Sequence, residues 1–259
     1  MRLIYFCSFV PYLALGHLGL EMVSAYDADI SNAYQSNLGG NLCSFVKSCE
    51  KINFSEFDGV IFTNCCNSAQ RLYDYVTYHY PRMFSFLLEI SRTENVLINH
   101  TDLIHSLKRD FFISAKKDAD AFIETAPVYY DILILGSSLH KGYVNNLKQL
   151  FDRYQLNFET CHSTPRGDLI INGTGEVSCP RMMHYLEYCE HKILNAKAVI
   201  CIATQKCDHI LFAFPQIKEL CRKYDKKCLL LEEEYVGKIS ENSKLRYEAF
   251  KECLMLDKK

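Results

Sequence analysis

The sequence predicts an α/β chain of two lobes, each a parallel sheet flanked by helices, joined by a helical connector. Short apolar runs alternate with amphipathic stretches along most of the 259 residues, and this alternation with short connections is what right-handed βαβ units and parallel sheets produce. A repeated grammar supports two lobes. GVIFTNCCNSAQ from Gly59 and AVICIATQKCDH from Ala198 each read strand, short polar turn, cysteine followed by Asn or Asp, helix. Between them, residues 101–125 carry charged and apolar residues at helical intervals with no strand signal. The expected division is therefore an N-terminal lobe over 1–95, a helical connector over 96–126 and a C-terminal lobe over 127–259. Lobes of roughly 100 to 130 residues are large enough to bury separate cores.

The elements follow in order. The apolar run LIYFCSFV, bounded by Pro11, predicts a buried strand over residues 2–9 and then a helix over about 12–20. Residues 22–26 predict a short second strand. The polar stretch 27–40 ends in two adjacent glycines and reads as a loop, before a helix that carries Cys43 near its first turn. Residues 59–63 predict a strand, and 68–80 a helix with Leu72, Tyr73 and Val76 on one face, which Pro81 ends. A fourth strand is expected over 84–90. In the second lobe, strands are expected over 131–136, 157–160, 197–203 and 227–232. Helices fall between them, to about 154, from Pro180 and to 224, with a last one over 242–254. One stretch, STPRGDLIINGTGEVS, resists assignment; Gly167, Gly173 and Gly175 mark it as a mobile, functional loop.

Composition narrows the function classes. A formal net charge of −2, from 29 Lys and Arg against 31 Asp and Glu, leaves no basic stripe for nucleic acid and no polybasic surface for a membrane. No apolar run approaches the roughly 20 residues of a spanning helix. Pro11 divides the apolar start and no small-x-small cleavage site follows it, so a secretory leader is not expected. Thirteen cysteines then point to reduced thiols in a reducing, anaerobic cytoplasm.

Most of those cysteines stand where a small buried hydrophobe belongs. Cys49, Cys189, Cys221 and Cys253 fall within expected helices, and Cys7, Cys201 and Cys228 within expected strands; all seven read as core. Cys43, Cys66 and Cys207 differ, because each begins or closely precedes a helix after a loop. In an open parallel sheet such loops lie where ligands gather, and a helix N-terminus favours a thiolate. Three thiolates can hold an iron–sulfur cluster and leave one iron open to another ligand. Cys65 is an alternative ligand or a strand-end core residue, and Cys161 and Cys179 flank the glycine-bearing loop as secondary site residues. There is no CxxC, no ferredoxin run and no Cys/His zinc spacing, so spacing alone leaves reduced structural thiols as an open alternative.

The words around these cysteines resemble the family of 2-hydroxyacyl-CoA dehydratase subunits, which also includes benzoyl-CoA reductase subunits and double-cubane cluster proteins. The likeness spans nearly the whole chain: VPYLALGHLGL, NLCSFVKSCE and CNSAQRLYDY in the first lobe; ETCHSTPRG and SCPRM in the second; then AVICIATQKCDH, FPQIKEL, CLLLEEEY and LRYEAFKECL in the family's order. The resemblance implies two flavodoxin-like lobes with a 4Fe-4S cluster between them, held by Cys43, Cys66 and Cys207; it leaves open a single or a fused double cubane. It further implies a related subunit or a second copy as partner, an ATP-hydrolysing activator that injects a low-potential electron, and an acyl-CoA or other small molecule as substrate. The chain has no GxxxxGK[ST] loop, so ATP hydrolysis would belong to the activator. An electron-relay or accessory subunit without its own substrate pocket is the alternative reading, which the chain's short middle favours.

No acid or base is assigned, but four residues are candidates. Arg71 lies one helical turn past the second cysteine and can steer a thioester oxygen or pair with Asp74. Glu232 opens a run of three glutamates at a strand end. His162 and Arg166 sit in the glycine-bearing segment beyond a strand, where loops carry function.

Overall fold

The computed structural model describes residues 1–28, 30, 36, 38–90, 100–111, 129–171, 179–182 and 184–256. The first sheet is built from β1 (Arg2–Tyr5), β2 (Glu21–Ser24), β3 (Gly59–Thr63) and β4 (Phe84–Leu88). The second holds β5 (Tyr130–Gly136), β6 (Leu156–Glu159), β7 (Ala196–Thr204) and β8 (Lys227–Glu233). Their spatial orders, β2-β1-β3-β4 and β6-β5-β7-β8, are the same, and every pairing is parallel. The protein is thus α/β with two flavodoxin-like lobes.

Side-chain alternation explains why both sheets are covered on both faces. Leu3, Tyr5 and Ile61 point into one core of the first lobe, whereas Ile4, Phe6, Val60 and Phe62 point into the other. Likewise Leu133, Leu135 and Val199 face one core of the second lobe, and Ile132, Ile134 and Ile200 the opposite one. Strands buried on two faces read as unbroken apolar runs, which is why β3 and β7 are legible from sequence. The covering helices are α1 (Tyr12–His17), α2 (Ser44–Cys49), α3 (Asn67–His79), α4 (His100–Phe111), α5 (Lys141–Leu150), α6 (Arg166–Ile171), α7 (Tyr185–Leu194), α8 (Asp208–Lys223) and α9 (Glu241–Leu256). Of the expected connector, α4 buries Leu103 and Leu107 in the first lobe's core; residues 96–99 and 112–126 lie outside the described ones. Among the described residues, no helix is long and apolar enough to cross a membrane.

Two expectations are corrected. The first strand stops at Tyr5, four residues early, because the Val10 amide turns back to the Cys7 carbonyl (3.0 Å). Cys7 therefore lies beyond the strand. Within the unassigned stretch, residues 166–171 form α6, while Gly173 and Gly175 lie outside the described residues. Gly167 does not serve mobility: α6 packs on the first lobe, with the Gly167 amide donating to the Ser8 carbonyl at 2.8 Å. The Asp168 carboxylate accepts from the Leu13 and Ala14 amides at 3.2 and 2.8 Å, capping α1, which has no side-chain cap of its own. On the other side of the junction, the Ser44 amide donates to the Gln205 carbonyl (3.2 Å) and the Tyr235 amide to Ser44 Oγ (2.9 Å). The lobes dock through the loops at the carboxyl ends of their strands.

Candidate functional site

In each sheet the chain reverses its winding between the first and third strands, and the loops leaving those strands open a crevice where open α/β sheets take ligands. Docking sets the two crevices face to face. The segment after β1 brings Cys7; the turn after β3 brings Cys65 and Cys66; the turn after β5 brings Ser137 and Ser138; the turn after β7 brings Cys207. Together they enclose a chamber of about 40 Å³. Of the thirteen cysteines, seven line it: Cys7, Cys43, Cys65, Cys66, Cys161, Cys179 and Cys207.

The structure brings Cys43, Cys66 and Cys207 together. All three also border a wider outer cleft of about 760 Å³, so they stand at the neck between chamber and cleft. Each is the N-cap of a helix: Cys43 of α2, Cys66 of α3 and Cys207 of α8. The Ala69 amide donates to Cys66 Sγ at 3.3 Å, and the Cys43 amide to Ser68 Oγ at 3.5 Å. Before Cys207 the backbone turns through Lys206, a non-glycine residue at φ 64°, and the Lys206 ammonium donates to the Gly40 carbonyl across the junction. Such left-handed residues cost free energy and collect at functional turns. Cys65 borders the chamber but not the cleft.

Without a metal these thiols resist ionisation. Burial, and next the Cys66 thiol, push Cys43 up to about 11. Burial pushes Cys207 up to about 12, with Cys161 the next contributor. Hydrogen bonding to Cys65 and then burial hold Cys66 well above the usual thiol range, while hydrogen bonding to Cys65 keeps Cys7 below it. A metal bound here must displace protons. Among the described residues no group of three or more His, Cys, Asp or Glu is placed to hold a metal ion. Sulfurs on one ion lie roughly 4 Å apart, whereas thiolates on different irons of a cubane spread over roughly 6 to 7 Å. In chemistry, three thiols bordering one neck are the soft donor set that iron–sulfur ligation takes.

Arg181 is the residue that sequence reasoning missed. It borders both chamber and cleft, with Nη1 4.0 Å from Cys161 Sγ, and its sealed Nε has no partner. Burial works against its charge, but Cys66, Cys65, Cys161 and Cys179 outweigh burial and favour the cation. The signal in the sequence is the word SCPRM, which carries this arginine two residues past Cys179.

The other candidates are placed as follows. Arg71 lies on the cleft wall, where it pairs with exposed Asp74 at 3.1 Å. Glu232 is exposed, borders neither chamber nor cleft, and accepts from the Lys206 amide at 3.4 Å. Arg166 edges the chamber, yet its Nη1 donates to Ser8 Oγ (2.9 Å) and the Thr160 carbonyl (2.8 Å), and Nη2 lies 3.8 Å from Glu159. Its charge is paired within the second lobe, and its bond to Ser8 ties that lobe to the first. Of the seven core cysteines, Cys49, Cys189, Cys201 and Cys221 are buried as expected, Cys228 is half-buried, and Cys7 is buried but lines the chamber. Cys253 is exposed, because its face of α9 turns outward.

His162 stacks on Tyr26 with ring centroids 3.7 Å apart, and its sealed Nδ1 has no partner. Burial, then the Arg166 charge, lowers it from 6.5 to about 3. The unfolded chain takes up this proton below about pH 6.5 and the folded chain only near pH 3. Stability is therefore complete above that window and falls through it on acidification, by at most ~1.4 kcal/mol per pH unit. His162→Phe keeps a ring on Tyr26 and should flatten the loss in urea midpoint between about pH 6.5 and pH 4.5. An unchanged pH profile would exclude His162 as its source.

No known family model matches the chain, and no curated protein is significantly similar to it.

Proposed function

We propose that this chain is the iron–sulfur subunit of a reductive acyl-CoA enzyme of the 2-hydroxyacyl-CoA dehydratase kind. One observation carries the reading: two lobes of identical strand order deliver three helix-capping thiols, Cys43 and Cys66 from one and Cys207 from the other, to a single neck. The ordered words of the sequence support it independently, because they select the same trio. When bound, a 4Fe-4S cluster would supply low-potential one-electron transfer to a thioester substrate.

The chain's own residues hold and orient. Cys43, Cys66 and Cys207 are the ligands, and the docked loops shield the chamber side from water. The cleft that the three thiols border, about 760 Å³, favours a subunit with its own substrate over a pure electron relay. All thirteen cysteines are free, which suits a reducing cytoplasm. A related subunit or a second copy completes the enzyme, and an ATP-hydrolysing activator supplies the electron.

Anaerobic purification with iron and sulfide analysis and electron paramagnetic resonance tests this. Roughly four irons and four sulfides per chain are expected for a single cubane, and more for a fused one. A chain that takes up neither after anaerobic reconstitution would rule out every cluster reading. Adding acyl-CoA to the reduced protein should alter the spectrum; no binding and an unchanged spectrum would favour the relay.

A further inference from the structure

A guanidinium carries five N–H donors and a permanent charge, and enclosing either without a partner costs several kcal/mol. Arg181 meets this in part: it is half-buried, with its cleft side open and its chamber side short of acceptors. Among the described residues no carboxylate pairs with it, its Nε is sealed without an acceptor, and Nη1 makes only a long contact to the Cys161 sulfur at 4.0 Å. The chamber it faces has room: about 40 Å³, against the roughly 10–15 Å³ a single water needs. The rest of its wall is mostly thiols and apolar rings, among them Phe6 and Phe62, and its other polar groups are already engaged: Ser137 with Thr204, Ser138 with Tyr26, and Arg166 with Ser8, Thr160 and Glu159. Such a wall gives a strongly hydrated anion no replacement for its water shell.

We propose that Arg181 and the inner thiols form a binding site for a small, weakly hydrated inorganic monoanion, of which hydrosulfide is the member that suits a thiol-lined chamber. The guanidinium neutralises the charge, while sulfur and ring edges exclude water. The site goes beyond the cluster reading, since it is complete without metal.

The test uses the full chain, metal-free and reduced, with iodide as probe. Iodide should raise the melting temperature saturably, whereas chloride or sulfate at equal ionic strength should not. Arg181→Met should weaken iodide binding by about tenfold or more, and Arg181→Lys, which keeps the charge, by less. Crystals of the wild-type protein soaked in iodide should show an anomalous peak within contact of the guanidinium, a result that needs no variant to fold. Equal iodide responses in wild type and Arg181→Met, or no peak at Arg181, would overturn the proposal. Iron loading is measured separately, so a wild-type chain that loads iron but binds no iodide defeats the anion site alone, and the converse defeats the cluster alone.

Discussion

Cys43→Ser, Cys66→Ser and Cys207→Ser should each reduce iron in anaerobically reconstituted protein to near background, while Cys189→Ser and Cys253→Ser retain the wild-type content. Serine removes the soft sulfur donor and presents a hard hydroxyl that stays protonated, so the site loses one of its three ligands outright. That loss should exceed the roughly 10–100-fold that removing a supporting neighbour costs. Cys189 faces the second lobe's core and Cys253 lies exposed on α9, so neither can reach the neck. Cys65→Ser is the discriminating variant. Cys65 borders the chamber alone, and its substitution should leave most of the iron in place. If all six variants lost iron alike, the effect would be loss of folding and the ligand map would fall; near-wild-type iron in any one of the trio would remove that residue from it.

The sheets are legible in the sequence because strands buried on both faces must be apolar throughout, and β3 at Gly59–Thr63 coincides with its apolar run. The trio was legible for a related reason. A cysteine after a strand and its turn, at the start of a helix, can occupy only the carboxyl edge of a parallel sheet. What escaped was everything created by docking. The turn that ends β1 at Tyr5 is hidden in an apolar run because Phe6, Phe9 and Val10 are buried after the strand stops. Helix α6 carries Pro165 and Gly167, which read as loop punctuation, and it is held by Ser8, Leu13 and Ala14 more than 150 positions away. Arg181 is one of 29 basic residues, and only the meeting of two crevices turns it from a surface charge into the cation of a thiol chamber. Local patterning fixes which edge carries the site, and long-range packing decides what fills it.

Gly167→Ala should be the most damaging single-methyl change in the molecule. A Cβ at this position would lie 2.3 Å from the Phe9 carbonyl oxygen, 2.7 Å from its carbon and 2.8 Å from the Pro11 nitrogen. All three are backbone atoms, so no side chain can swing aside. Helix α6 cannot simply slide, because the Gly167 amide is bonded to Ser8, Arg166 to Ser8 Oγ, and Asp168 to the first turn of α1. Relief requires the lobes to part here, which breaks the bonds of Arg166 to Ser8 Oγ and of Asp168 to the Leu13 and Ala14 amides, each a hydrogen bond of a charged group worth about 1.5–3 kcal/mol. At about 2–4 °C per kcal/mol for a chain of this size, the melting temperature should fall by roughly 10 °C or more. The segment displaced also carries Cys7, so iron loading should fall with it even though the trio is intact. Gly16→Ala is the matched comparison: nothing lies within 4 Å of its added Cβ, and inside α1 the change should be neutral or stabilise by up to about 1 kcal/mol. If Gly167→Ala melted within a degree or two of wild type, the close approach of α6 to the Phe9–Pro11 backbone would not hold the lobes together, and the thiol neck would have to be assembled by the Ser44–Gln205 side of the junction alone.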